Sequence, residues 1–142
     1  MPLGNGEQAR RIALGNEALM RSCDAIIANL TPFRGVSMDA GTAYEIGFMR
    51  ALGKPVFGYT NAGAASYRAR ALAYRQAPRP SFDCDRPTFE VEDFDLAENL
   101  MIAVAVRETP SAIAHFLPPP ESAMASLEAF ALCVEQARRH FS

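Results

Sequence analysis

Residues 23–56 read C-D-A-I-I-A-N-L-T-P-F-R-G-V-S-M-D-A-G-T-A-Y-E-I-G-F-M-R-A-L-G-K-P-V. The run opens on a short apolar stretch, Asp24–Leu30, which reads as a buried strand. Pro32 and Gly35 make residues 31–38 a loop. Residues 42–52 then read as a helix, stopped by Gly53 and Pro55. Pro55–Tyr59 (P-V-F-G-Y) reads as a second buried strand. Upstream, residues 7–22 form an amphipathic pattern: Ile12, Leu19 and Met20 recur near the 3.6 period, with Arg10, Arg11, Glu17 and Arg21 between them. Helix, strand, loop, helix, strand at this spacing is half of a parallel α/β sheet.

Further along, Asn61–Gly63 is a turn and residues 64–75 can form a third helix. Pro78, Pro80 and Pro87 forbid long regular elements in 76–95, so that stretch is read as an extended excursion. Seven of the sixteen acidic residues lie between Asp83 and Glu98, the pattern of a solvated loop. Asp83 and Asp85 lack the Gly and later Glu of a calcium loop. Leu96–Val106 fits a buried helix or strand. Pro118–Pro120 is a stiff linker. Residues 121–141 read as an amphipathic helix with Met124, Leu127, Ala131, Val134 and Ala137 on one face.

With 142 residues, 49% of them hydrophobic and 21% charged, the chain suits one domain spanning 1–142. A net charge of −2 supplies no field that would draw it to nucleic acid or an anionic membrane. Cys23, Cys84 and Cys133 are odd in number and far apart, the usage of a reducing compartment; Cys23 reads as a small buried hydrophobe. With only His115 and His140 besides them, a zinc site is not expected. No stretch approaches the roughly 20 apolar residues of a membrane span, and the N-terminus lacks the apolar core of a signal peptide. The expectation is a soluble cytoplasmic protein.

In an open α/β sheet ligands bind at the carboxyl ends of the strands, which directs attention to the segment after Leu30. It holds two carboxylates, Asp39 and Glu45, and two glycines, Gly35 and Gly41, that let backbone approach a ligand. Glu45 has two readings at this level. With Thr42 it fits a capping box, T-x-x-E. As an ionised carboxylate in a helix's first turn, it also suits nucleophilic attack at an anomeric carbon.

The whole run 23–56 resembles the signature of the nucleoside 2-deoxyribosyltransferases, and E-D-F-D-L-A-E-N-L-M-I at 92–102 is similar to that family's stretch ending in Asn-Leu-Met. The resemblance covers about a third of the chain and includes the helix before Asp24. It implies a flavodoxin-like (Rossmann-like) three-layer α/β domain with a parallel sheet. It also implies transfer of 2-deoxyribose between purine or pyrimidine bases. The motif's Glu falls on Glu45, the nucleophile at C1′, giving a covalent deoxyribosyl-enzyme and, after a second displacement, net retention. Its Asp falls on Asp39, which helps hold the sugar. Asn99 matches the Asn that reaches into a neighbouring subunit's site for the 5′ hydroxyl, so a homo-oligomer with shared sites is implied. Asn16 falls where members carry a polar residue facing the base.

Phe33 could stack on a base or pack within the loop, and Arg34 could contact the base or pair with a carboxylate. Tyr44 and Met101 read as packing residues, and His115 lacks neighbours that would make it catalytic. The expected partners are 2′-deoxynucleosides and free nucleobases, with no cofactor and no metal. Members begin with a strand of the type Y-x-A-G-P, and this chain has no such run, so the sheet is expected to lack its usual first strand. Two other readings stay open: hydrolysis of 2′-deoxynucleosides or their 5′-monophosphates, and a non-catalytic nucleoside-binding module.

Overall fold

The computed structural model describes residues 4–77, 90–108 and 112–142. The extended excursion with Pro78, Pro80 and Pro87, the Asp83/Asp85 pair and Cys84 lie outside the described residues. Element order is α1 (Asn5–Ser22), β1 (Ile26–Asn29), α2 (Ala40–Ala51), β2 (Val56–Thr60), α3 (Tyr67–Gln76), α4 (Leu100–Arg107), β3 (Ala114–His115), a 3-10 turn (Pro120–Ser122) and α5 (Glu128–His140).

The strands form one parallel sheet in the order β1-β2-β3, with Ile26 opposite Val56 and Tyr59 opposite Ala114. Among the described residues no strand precedes α1, and the outer edge of β1 is unpaired. Strand pleating sends alternate side chains to opposite faces. Ala28 and Val56 join Ile46 and Met49 of α2 and Ala103 and Val106 of α4. On the other face Phe57 packs with Ala114 and with Cys133 of α5, flanked by Ile27, Tyr59 and Ala137. Helices on both faces make three layers, which is why both strands read as continuous apolar runs. Ile46, Val56, Phe57 and Val106 are each fully buried, worth roughly 1.5–3 kcal/mol apiece.

Two local features fix the elements. At Gly58 a side chain would put its Cβ 2.8 Å from Leu30 Cδ1 and 3.2 Å from Val106 Cγ2, so Leu30 and α4 would both have to give way to admit one. Lys54 gathers the carbonyl oxygens of Met20, Arg21 and Cys23, capping the end of α1 with a cation.

Several expectations are corrected. The C-terminal helix begins at Glu128, and its buried stripe is Ala129 and Cys133 with Ala137 beside them. Met124, Leu127 and Val134 are exposed. Small residues let α5 approach the sheet closely, and of the face expected to be apolar Ala137 packs there. In α1 only Met20 is buried; Ile12 and Leu19 are exposed, because α1 packs on α2 beside the sheet and not on its face. Cys23 is half-buried against the core. Leu96–Val106 resolves into loop and helix, and β3, too short for a periodic signal, was not foreseen. No helix of the described residues is long and apolar enough to cross a membrane.

Candidate functional site

Chain direction brings the β1–α2 loop and the N-terminal half of α2 to the carboxyl end of the sheet. Asp39, not Thr42, is the N-cap of α2: its Oδ2 accepts the Gly41 N–H at 2.9 Å. The capping-box reading of Thr42 and Glu45 is therefore corrected. Asp39 starts the helix one turn earlier, and Glu45 sits in its second turn, where the dipole's influence has largely faded. Gly41 has a local reason: a Cβ there would lie 2.9 Å from Asp39 Oδ2 and displace the capping carboxylate.

Two cavities flank this half of α2. The first, about 240 Å³, is lined by Asn16, Leu19 and Met20 of α1, Ile26 of β1, and Glu45 and Met49 of α2, among others. Glu45 is partly buried there, and its carboxylate has no hydrogen bond or ion pair among the described residues. The second, about 310 Å³, is lined by Asn29, Thr31, Phe33, Asp39, Thr42 and Met124. Asp39 Oδ1 is without a partner among the described residues. Thr42 and Glu45 are three residues apart on one helix, hence neighbours on its surface. The structure thus places Asn16 with Glu45, and Phe33 with Asp39, on adjoining sides of one helical turn.

The other expected residues lie apart or engage differently. Arg34 makes no ion pair among the described residues; it adopts φ 57 and lays its guanidinium over the Phe33 ring, 4.7 Å from the centroid. Asn99 caps α4, its Oδ1 accepting the Met101 N–H and its Nδ2 donating to Glu92. It lines neither cavity of its own chain. Met101, read as packing, is 71% exposed. Tyr44, also read as packing, is exposed and donates to Glu17 Oε1, a bond that holds its hydroxyl pKa above the usual value. His115 is exposed, with Nδ1 at 2.8 Å from Gly63 O.

Sequence reasoning missed the polar knot behind the loop. Glu98, assigned to a solvated acidic loop, is 1% exposed. It accepts from Ser37 Oγ at 2.7 Å and the Asn99 N–H at 3.0 Å, and pairs with Arg70 at 3.1 Å. Arg70 also donates to the carbonyls of Val36, Ala65 and Ala97. The knot ties the β1–α2 loop to α3 and to the start of α4. No sequence signal marks such a pair, because its partners lie 28 and 61 residues apart.

Comparison with known proteins bears on the family and the fold. Residues 3–101 match the family model for nucleoside 2-deoxyribosyltransferase. An uncharacterized protein of Schizosaccharomyces pombe is 41% identical over 80 residues, covering 51% of this chain and 38% of that protein. The chain thus spans well under half the length of that relative. A solved 2-desoxiribosyltransferase from Leishmania mexicana superimposes with a TM-score of 0.55 at 28% identity, over 94% of this chain and 70% of the other.

Proposed function

The chain belongs to the nucleoside 2-deoxyribosyltransferase family, and on that premise we propose that it transfers 2-deoxyribose between nucleobases with Glu45 as nucleophile. The observation that carries this reading is the state of Glu45: a partly buried carboxylate on a cavity wall, with no partner to neutralise it. A carboxylate so placed is free to attack.

In the proposed first step a Glu45 oxygen bonds to C1′ as the C1′–N bond breaks and the electron pair leaves with the base, which takes up a proton. In the second step a nitrogen of another base attacks C1′ and gives up its proton as the C1′–O bond breaks, which releases the Glu45 carboxylate. Two inversions restore the starting configuration. A 2′-hydroxyl would destabilise the oxocarbenium-like state by withdrawing electrons, which favours 2′-deoxy sugars. Asp39 Oδ1 is proposed to hold the sugar, with Gly41 keeping that carboxylate in place; Asn16 is proposed to contact the substrate on the Glu45 side of α2. Phe33 is proposed to supply an apolar surface for a ring, with the Arg34 guanidinium over one face of its own ring. Asn99 and the exposed Met101 are proposed to complete a neighbouring copy's site in a homo-oligomer.

Incubating the protein with a 2′-deoxynucleoside and a different free base tests the reading. Exchange is expected, with an adduct of one deoxyribosyl group on the Glu45 peptide seen by mass spectrometry. Base release without exchange points to hydrolysis instead. Exchange that survives Glu45→Ala overturns the nucleophile.

A further inference from the structure

Met124 was expected on the apolar face of the C-terminal helix and is instead 58% exposed, before that helix begins, on the wall of the larger cavity. Its position is nonetheless fixed. It lies in the turn between β3 and α5, which is closed by Ala125 N–H and Ser126 N–H donating to Ser122 O at 2.9 and 2.8 Å. Asn61, 3% exposed, donates through Nδ2 to Ala123 O at 2.9 Å and Ser126 O at 3.0 Å, the carbonyls on either side of Met124. The Asn61 backbone N–H donates to Thr31 Oγ1 at 3.0 Å, and the Thr31 N–H donates to Asn29 Oδ1 at 3.0 Å. Thr31 is two residues before Phe33, and Asn29, Thr31 and Phe33 line the same cavity.

One short chain of hydrogen bonds therefore sets the backbone spacing between the segment bearing Phe33 and the segment bearing Met124. These two are the large apolar side chains of the cavity; the other four lining residues are polar. Phe33 is a rigid ring, whereas Met has three torsions and a polarizable sulfur that adapts to irregular partners. With the backbone fixed, the room left for a flat ring depends on the Met124 side chain.

We propose that Met124 is the specificity-determining wall of the base subsite, packing against the nucleobase opposite the contact made by Phe33 and setting how large a ring the cavity accepts. Asn61 is its positioning residue. This rests on the deoxyribosyl-transfer reading. It adds a residue outside both family-like runs, and it makes ring size a property of the turn before α5.

The test compares kcat/KM for 2′-deoxyadenosine and thymidine as donors, with one acceptor base, in the wild type, Met124→Phe and Met124→Ala. Met124→Phe narrows the space and is expected to lower the purine-to-pyrimidine ratio about fivefold or more, a change a merely structural role would not give. Met124→Ala removes apolar contact and should raise KM for both donors roughly five- to tenfold, the effect of losing part of a buried methionine. Because the side chain is exposed, thermal unfolding should shift by no more than about two degrees in either variant. If the wild type exchanges and both variants keep the ratio and both KM values within about twofold, the role of Met124 is overturned while the function stands. A wild type that neither exchanges nor releases base overturns the function and this inference together.

Discussion

Glu45 and Glu98 are the same side chain in two opposite situations. Glu98 is 1% exposed and spends its oxygens on Ser37, Arg70 and a backbone N–H. Glu45 is partly buried beside an open cavity and is bonded to nothing among the described residues. A buried carboxylate held by a guanidinium keeps a loop in place but is closed off from a substrate. A carboxylate with water on one side and an apolar wall on the other gains little for the fold and stays available for chemistry. The more conspicuous acid in the structure is thus the structural one. The loop it fixes, Val36 and Ser37, leads directly into Asp39 and α2.

The sharpest way to break this contrast is to remove each acid in turn. Glu45→Ala should cut exchange by roughly 10³-fold or more, as loss of a nucleophile does. Its urea unfolding midpoint should barely move, because no partner is left behind. A large loss of stability would show that Glu45 is also a scaffold residue.

Glu98→Ala should cost about 3–5 kcal/mol of stability by leaving Arg70 unpaired in a largely buried site. Urea denaturation would measure it. Glu98→Gln, which keeps hydrogen bonds to Ser37 and to the backbone, should cost less. If both variants unfold like the wild type, the knot does not hold the loop.

Asp39 lies between the two extremes, capping α2 with one oxygen and leaving the other open. Asp39→Ala should lose about 1 kcal/mol of stability along with activity. Asp39→Asn caps well, so it should keep the stability and lose turnover. Equal stability loss in both would assign the charge, not the cap, to folding.

The smallest effect belongs to the far face of the sheet. Burial pushes the Cys133 thiol up from the ordinary thiol range to about 11. A thiol raised in the folded state favours folding below its unfolded pKa, and that contribution is lost as pH rises towards the folded value. At neutral pH the thiol is protonated in both states, so stability does not vary with pH on its account. Between about pH 9 and 11 stability should fall, and Cys133→Ala should reduce the slope of a pH series of urea melts. An unchanged slope would mean that the thiol is not shielded as the packing of α5 requires.

Legibility varied by residue for identifiable reasons. Glu45 and Asp39 stand out in the sequence because they sit in a contiguous, family-like run. Asn99 stands out the same way, yet its own chain uses it as a helix cap, and a role in a neighbour's site is a matter between copies. Glu98 was misassigned because seven acids in sixteen residues look solvated until Arg70 is brought to one of them. Met124 was misassigned because a period of 3.6 was continued back through residues that turn out to be a non-helical turn.

The sequence by itself determined the parallel α/β plan. Strands buried on both faces must be apolar throughout, and Gly53 and Pro55 punctuate the chain between α2 and β2. It also determined that Asp39 stands at the carboxyl end of β1, whereas Glu45 shares a cavity with Cys23, Ala25 and Ile26 at that strand's amino end. Only the tertiary structure decided which acid is free and which is bound, which faces of α1 and α5 are buried, and that Met124 shares a cavity with Phe33. Those outcomes depend on contacts between residues dozens of positions apart. Periodicity and local motifs carry no information about which distant side chain will arrive.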